Sequence, residues 1–283
     1  EAIIAKFEHD NGLRYARNQV LVSSGAKQTI YNLCMAVLDA GDEVVIPAPY
    51  WVSYPDMVAL ADATPVIVPT GPEQGYRMTQ AQLEAAITPR TRMLILCSPS
   101  NPTGAAYSRA DLAALGAVLR RHPRVLVCTD DMYEKIWWAD EPFSTLAQVV
   151  PELYDRTITI NGCSKAYAMT GWRIGYCGGP REIVTAMATV QGQSTSNPCS
   201  ISQAAAVAAL RGDQDCVARM CAAYKERHDF VVAGLNALPG VSALPGAGTF
   251  YAFANVAGAM QRLGLASDDE FTTTGPEFEL FEG

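Results

Sequence analysis

Residues 157–176 read TITINGCSKAYAMTGWRIGY, and this stretch is the best guide to the fold of the chain. Alternating β-branched residues at 157–161 predict a buried strand, after which a turn presents Lys165, and Arg173 follows eight positions later. A lysine among apolar groups can lose its proton and attack a carbonyl, and an arginine can bind a phosphate through two hydrogen bonds. The stretch therefore predicts a site for a cofactor that carries both groups, as pyridoxal phosphate does. The alternative is a surface lysine and arginine around a turn.

Short β-branched runs alternate with helical patterns on both sides of this stretch. The predicted strands are 19–23, 43–47, 64–68, 93–97, 125–129, 157–161 and 174–178, and the predicted helices between them are 27–38, 54–61, 79–86, 109–120 and 181–191. This alternation indicates an α/β fold with a mostly parallel central sheet and helices on both faces. Such sheets bind their ligands at the carboxyl ends of the strands, beside helix N-termini.

The pattern changes after residue 193. Helical periodicity at 201–210 and 215–238 is followed by 246–253, which predicts a turn and a strand. We therefore expect a large cofactor-binding domain at 1–193, and an interdomain helix with part of a smaller α+β domain at 194–283. Residues 1–7 already have the pattern of the middle of an amphipathic helix, and 268–283 show no clear periodicity. We accordingly expect a piece of a longer protein.

The composition is that of a soluble globular protein. The chain has 283 residues, of which 49% are hydrophobic and 18% charged, and its net charge of -8 argues against a nucleic-acid partner. None of the eight cysteines forms a CxxC pair, which predicts reduced thiols, and only three histidines are present, so we expect no metal site. Neither a signal peptide nor an apolar run long enough for a bilayer is evident. The expected compartment is therefore the cytoplasm, without a membrane partner.

The segment from Ser23 to Gln28 follows a predicted strand and opens a predicted helix. Small residues such as Gly25 and Ala26 let backbone N–H groups approach an anion at the positive end of the helix. An ordinary strand–helix turn has the same composition. What favours a phosphate site is that Arg173 can serve the same anion.

Three further segments carry polar or aromatic side chains at predicted strand ends. Asp130 can pair with a protonated pyridine nitrogen, which keeps a ring cationic and a better electron acceptor, and Tyr133 can reach its phenolic oxygen. The Asn101 amide can donate to that oxygen and to a substrate carboxylate, and Trp51 can stack on the ring. The alternatives are a helix-capping aspartate, a plain proline turn and a core tryptophan. Their joint placement at one edge of the sheet favours a single site.

Together, residues 164–176 and the turn 101–104 resemble the class I aminotransferases of fold type I, the aspartate aminotransferase family. The resemblance runs from about residue 1 to 253 and points to the bacterial branch that acts on aspartate and sometimes prephenate. It implies pyridoxal 5′-phosphate as cofactor, amino acids and 2-oxo acids as substrates, and a homodimer. It also implies that Lys165, Asp130 and Tyr133 are catalytic, with Lys165 bonding to the cofactor and moving the substrate's α proton.

The remaining contacts are implied by the same resemblance. The cofactor-binding positions are Gly25, Ala26, Lys27, Trp51, Asn101, Asp130, Tyr133, Ser164, Lys165, Arg173 and Ser196. Ser196 resembles a serine that reaches a phosphate across the dimer interface. The substrate-binding positions are Lys27, Trp51 and Asn101. Lys27 matches a lysine that contacts the distal carboxylate of acidic substrates, which need a second cation.

The chain departs from the family pattern at several places. No arginine after Lys165 lies in the Arg-Leu-Ser-like context of the family's α-carboxylate arginine, the N-terminal arm has no match, and Gly162 stands where some relatives have a phosphate-binding serine. We therefore expect cofactor binding but poor turnover by the chain as given.

The predicted reaction is the transfer of an amino group between aspartate and 2-oxoglutarate. Three alternatives stay open: a lyase of the same fold, such as a C–S lyase or cyclopropane-forming synthase, the cofactor-sensing domain of a transcription regulator, and a non-catalytic fragment. The presence of Lys27 argues modestly against the lyase.

Overall fold

A seven-stranded sheet forms the centre of the molecule in the computed structural model, which describes residues 1–265. Its strands are β1 Val20–Ser23, β2 Glu43–Ala48, β3 Thr64–Pro69, β4 Thr91–Cys97, β5 Leu126–Asp130, β6 Thr157–Gly162 and β7 Gly175–Gly178. They lie in the order β1-β7-β6-β5-β4-β2-β3. Only β7 runs antiparallel to its neighbours. Every predicted strand of this sheet overlaps an observed one, and the mostly parallel α/β fold is confirmed.

Helices connect the strands and extend beyond them. They are α1 Ala2–Asn11, α2 Ala26–Val37, α3 Ser53–Ala59, α4 Gln80–Ala86, α5 Arg109–Arg121, α6 Leu146–Val149, α7 Arg181–Gly192, α8 Ser200–Arg211, α9 Asp215–Ala237 and α10 Ala257–Leu263. Each predicted helix has an observed counterpart. Two N-termini are held by side-chain caps, since the hydroxyls of Thr79 and Ser108 accept backbone N–H groups of α4 and α5.

Alternate residues of each strand face two separate apolar cores. Val44 and Ile46 of β2 pack in the core that α2, α3 and α7 cover, whereas Val45 packs in the core that α4 and α5 cover. Because both faces of the sheet are covered, its central strands are continuous apolar runs, as in other parallel sheets. The helices pack on both faces of the sheet, and the carboxyl ends of the parallel strands lie together at one edge.

A buried polar cluster ties α1 to the segment that follows β5. The Lys6 ammonium contacts the Glu134 carboxylate and donates to Asn11 Oδ1 at 2.7 Å, and Asn11 Nδ2 donates to Glu134 Oε2 at 2.8 Å. Lys6, Asn11 and Glu134 are all buried. Nearby, Phe7 packs edge-on against Tyr15 and Tyr176, with ring centroids 5.1 and 5.7 Å apart. Helix α1 is therefore bonded to the segment that directly follows β5.

The prediction of a strand at 246–253 is wrong. In the structure this segment is irregular, with a single bridge from Gly248 to Trp137, and the short strands β8 Ser242–Ala243 and β9 Ala254–Asn255 pair beside it. The physical reason is that its backbone groups bond to scattered partners. Gly246 N donates to His228 Nε2, Ala247 N to Gly104 O, and Thr249 N to Ile136 O. The stretch 268–283, predicted to lack periodicity, lies outside the described residues.

Within residues 1–265, no helix combines the length and the apolar character needed to traverse a lipid bilayer.

Candidate active site

A cavity of about 260 Å³ opens where the parallel strands end. Nine of the predicted site residues line it: Ala26, Lys27, Trp51, Asn101, Asp130, Tyr133, Ser164, Lys165 and Arg173. They come from α2, from the last residue of β5, from the segments after β2, β4, β5 and β6, and from the turn before β7. The convergence follows from the topology, because neighbouring parallel strands end at the same edge of the sheet.

Lys165 lies in the turn after β6, half-buried in the cavity wall. Its ammonium nitrogen lies 5.9 Å from the ring centroid of Tyr133 and 5.3 Å from that of Phe250. Burial is the main cause that lowers the pKa of Lys165, and the positive charge of Arg173 adds to it, while the Asp130 carboxylate opposes it. The local environment therefore favours the neutral amine more than water would.

Arg173 and the start of α2 form a cationic cradle at one end of the cavity. Arg173 adopts a left-handed backbone conformation with φ 54°, and its Nη1 donates to Thr170 O at 2.9 Å. Gly25 has φ 91°, and a Cβ at this position would collide with the Arg173 guanidinium. Glycine therefore lets the first turn of α2, whose N–H groups have no intrahelical acceptors, approach the arginine. Such an arrangement suits a phosphate.

Asp130 is the last residue of β5 and is almost completely buried. The Tyr54 hydroxyl donates to its Oδ2 at 2.7 Å, and Met132 N donates to its Oδ1 at 3.3 Å. Burial raises the pKa of Asp130, whereas these two hydrogen bonds and the charge of Lys165 lower it. Each carboxylate oxygen keeps a lone pair for a further donor from the cavity.

Tyr133 meets a tyrosine from a distant part of the chain. Its hydroxyl shares a hydrogen bond of 2.9 Å with that of Tyr251, and the two rings pack edge-on. Tyr251 is delivered by the irregular segment 246–251, which Trp138 Nε1 holds by donating to Gly246 O at 2.8 Å. Asn101, which follows β4, lines the same cavity. The two hydroxyls and the amide therefore add polar groups to the lining of the cavity.

Trp51 and Lys27 lie together at the mouth of the cavity. The Lys27 ammonium is 4.9 Å from the ring centroid of Trp51, within cation–π distance, and the side chain of Lys27 is exposed. Trp51 also packs edge-on against Tyr54 at 5.4 Å. The indole of Trp51 thus contacts the buried Tyr54 ring and the Lys27 ammonium.

Two predicted residues lie outside the cavity lining. Gly25 lies behind Arg173, as described above. Ser196 is exposed in a turn after α7, with φ 61°. A hydrogen bond of 2.7 Å from Gln28 Nε2 to Thr195 Oγ1 places this turn beside the start of α2.

Five lining residues were not predicted from the sequence: Tyr54, Cys97, Met132, Thr170 and Tyr251. Tyr54 belongs to the aromatic run around Trp51, and its place one helical turn further on was a usable signal. Cys97 could have been found through the pairing of neighbouring strands, because it lies opposite Asp130. No local signal marks Tyr251, since only the tertiary structure brings it to Tyr133.

Comparison with known proteins identifies the family. A family model described as aminotransferase class I and II matches residues 1–273. The chain belongs to this family. It is 54% identical over 263 residues to the aspartate/prephenate aminotransferase of Nitrosomonas europaea, with 93% of the chain and 66% of that relative covered. With the aspartate/prephenate aminotransferase of Cereibacter sphaeroides the identity is 55% over 273 residues, with 95% of the chain and 68% of that relative covered.

Solved structures agree with this assignment. The crystal structure of the aspartate aminotransferase from Rhizobium meliloti superposes with a TM-score of 0.89 at 53% identity, over 91% of the chain and 64% of that structure. The chain thus spans about two thirds of the length of the relatives it matches. The predicted family and fold are confirmed.

The cavity fits the cofactor of this family. Class I aminotransferases depend on pyridoxal 5′-phosphate, as predicted. The cradle that a Cβ at Gly25 would fill suits its phosphate, and the free lone pairs of the buried Asp130 carboxylate suit a ring N–H. Lys165 supplies an amine whose pKa is lowered. Phosphate, ring nitrogen and carbonyl each therefore have a chemically matched group in one cavity.

Proposed function

We propose that the protein is a pyridoxal-phosphate-dependent aminotransferase that moves an amino group between aspartate, or a similar acidic amino acid, and 2-oxoglutarate. The observation that carries the proposal is that an amine of lowered pKa, a buried carboxylate and a phosphate cradle share one cavity in a chain of the aminotransferase family. The cofactor supplies an electrophilic carbonyl and a ring that accepts the electrons released at the substrate's α-carbon. Relatives named for aspartate and prephenate support the choice of substrate.

Lys165 serves as the base. Since burial and Arg173 both lower the pKa of Lys165, Nζ gives up its proton more readily than a lysine in water. Nζ accepts the proton from the substrate's α-carbon and later donates it. Phe250 and Tyr133, whose rings face the amine, exclude water from the side of Nζ that they cover.

The other predicted residues hold the cofactor. Arg173 and the first turn of α2, with Gly25 and Ala26, bind the phosphate. Asp130 would pair with the ring nitrogen. Tyr133 and Asn101 would donate to the 3-oxygen, and Trp51 would stack on the ring. All of these residues line the cavity, as does Ser164, which precedes Lys165 in the chain.

Lys27 selects the substrate. Its exposed ammonium lies at the cavity mouth over Trp51, where a second carboxylate of an acidic substrate would meet a cation. The position of the positive charge therefore favours dicarboxylic over neutral amino acids.

Assembly as a homodimer completes the proposal. Val52, Trp172 and Ile201 are exposed apolar side chains near the segments that carry site residues, and Ser196 would reach the partner's phosphate. Light scattering coupled to size-exclusion chromatography tests this, and a monomer that still binds cofactor would exclude the shared site.

We propose the cytoplasm as the compartment of the protein, since its eight free cysteines suit a reducing environment.

We also propose a domain boundary near residue 193. Limited proteolysis that cuts between residues 193 and 199 would support it.

A donor panel tests the reaction. The protein is saturated with pyridoxal phosphate, and aspartate, prephenate's amino counterpart, tyrosine, alanine and cystathionine are each assayed with 2-oxoglutarate. We expect oxaloacetate from aspartate, dependent on 2-oxoglutarate, and a cofactor that borohydride reduction fixes covalently to the wild type but not to Lys165→Ala. Pyruvate formed from cystathionine without 2-oxoglutarate would indicate a lyase instead, and equal covalent fixation in Lys165→Ala would refute the role of Lys165.

A further inference from the structure

The Asp130 carboxylate has one side-chain hydrogen-bond donor among residues 1–265, and that donor is Tyr54. The hydroxyl of Tyr54 lies 2.7 Å from Asp130 Oδ2, and the tyrosine is 2% exposed. Tyr54 belongs to α3, and its ring packs at 90° to that of Trp51. Its hydroxyl therefore donates to Asp130, the residue whose carboxylate the proposed function assigns to the cofactor's ring nitrogen.

A buried carboxylate and a pyridine nitrogen compete for the same proton. Burial raises the pKa of Asp130, which favours a neutral acid beside an unprotonated ring, and such a ring accepts electrons poorly. A hydrogen bond donated to the carboxylate lowers its proton affinity and leaves the proton on the nitrogen. The hydrogen bond from Met132 N to Asp130, at 3.3 Å, is longer and weaker than the bond from the Tyr54 hydroxyl, at 2.7 Å.

A neutral donor suits this position better than a cation would. A lysine or arginine in place of Tyr54 would cancel the negative charge that attracts the ring N–H, and it would itself require desolvation. Tyr54 cannot compete for the role of anion, because burial and the nearby Asp130 raise its own pKa well above the usual value. The hydroxyl thus stabilises the carboxylate and leaves its full charge facing the cavity.

We propose that Tyr54 is a positioning residue that keeps the Asp130 carboxylate ionised and aimed into the cavity, so that the cofactor's ring nitrogen retains its proton. This inference rests on the proposed function, since it assigns Tyr54 a role through Asp130. The strength of the hydrogen bond from Tyr54 to Asp130 sets the size of the expected effect. A hydrogen bond to a charged group of ordinary strength corresponds to about a tenfold change in the proton equilibrium between Asp130 and the ring nitrogen.

The first test uses the cofactor-free protein. Carboxyl groups are labelled with ¹³C-aspartate, Asp130 is assigned by comparison with Asp130→Asn, and its titration is followed by NMR. Tyr54→Phe should move the Asp130 midpoint to higher pH. The matched control is Tyr15→Phe, which removes another buried tyrosine hydroxyl, one that bonds Thr159 Oγ1 at 3.3 Å. An unchanged midpoint in Tyr54→Phe would overturn the inference.

The second test locates the proton in the cofactor-loaded protein. With ¹⁵N-labelled pyridoxal phosphate, the ring-nitrogen shift should report a protonated ring in the wild type and in Tyr15→Phe. In Tyr54→Phe the ratio of protonated to unprotonated ring should fall by about tenfold. In the Asp130→Asn background, Tyr54→Phe should cause no further change. If the wild type binds no cofactor, the proposed function fails, while the cofactor-free titration still decides on Tyr54. If the wild type binds it and Tyr54→Phe behaves as wild type in both tests, only the inference falls.

Discussion

The buried ion pair beneath the active site offers a quantitative test of how this fold is held together. Lys6 of α1 and Glu134, which directly follows Tyr133, have side chains that are both only 4% exposed. Replacing one partner strands the other charge in a dry environment, which costs about 3–5 kcal/mol. Lys6→Met should therefore lower the free energy of unfolding by about that amount, and the melting temperature by roughly 6–20 °C. Urea and thermal unfolding of the cofactor-free protein measure both quantities.

Two variants make this test specific. In Lys6→Met/Glu134→Gln neither side chain is charged, so more than half of the lost stability should return. Arg120→Met breaks the exposed pair with Glu152 and should cost no more than about 1 kcal/mol. If Lys6→Met costs as little as Arg120→Met, or if the double variant is no more stable than the single one, the stranded charge is not the cause.

Three other substitutions test the phosphate cradle, the selection of the substrate and the buried carboxyl group next to Asp130. Gly25→Ala should weaken pyridoxal phosphate binding by about tenfold or more, because the φ of 91° is strained for alanine and the Cβ displaces Arg173; pyridoxal without phosphate, measured by the same titration, should bind equally well to both proteins. Lys27→Ala should raise KM for aspartate by about tenfold while leaving KM for alanine unchanged. Lys27→Arg should largely retain the preference for aspartate over alanine. A parallel change of KM for both donors in Lys27→Ala would contradict the role of Lys27. Burial raises the pKa of Asp131 above 3.8, so its carboxyl favours the fold most at low pH and loses that contribution as pH rises through the folded-state pKa. Asp131→Asn should therefore gain stability relative to the wild type as pH increases from 4 towards 8, as urea unfolding at each pH would show, and a constant difference would count against it.

Most strands of the sheet were predictable from the sequence, because apolar runs that favour a strand are also the segments that the fold buries. Strands β4 and β5 each contain a continuous apolar run, as expected for strands that are covered on both faces, and each is followed by a turn. The segment 246–253 has the same local character but a different outcome. Its backbone groups bond to Gly104, Ile136 and His228, and within residues 1–265 no strand forms a ladder with it.

The site was predictable where each residue lies at a strand end. Asp130 ends β5 and Lys165 follows β6. Because the carboxyl ends of these neighbouring parallel strands meet, the positions of the two residues along the chain imply their proximity. Tyr251 carries no local signal, and the one signal for Tyr54 is its place in the aromatic run around Trp51. Each reaches a site residue through a single hydroxyl, and that contact depends on side-chain direction and on long-range packing.

By itself the sequence determined the order of strands and helices, the family, and the residue types that match a phosphate, a ring nitrogen and a carbonyl. These follow from local periodicity and from motifs a few residues long, which act at short range. Only the tertiary structure decided that Lys165 has a lowered pKa, that Asp130 is held by Tyr54, and that Tyr251 joins Tyr133. Burial and hydrogen bonding between residues far apart in the chain arise only once the sheet, its helices and the segment 246–251 are packed together.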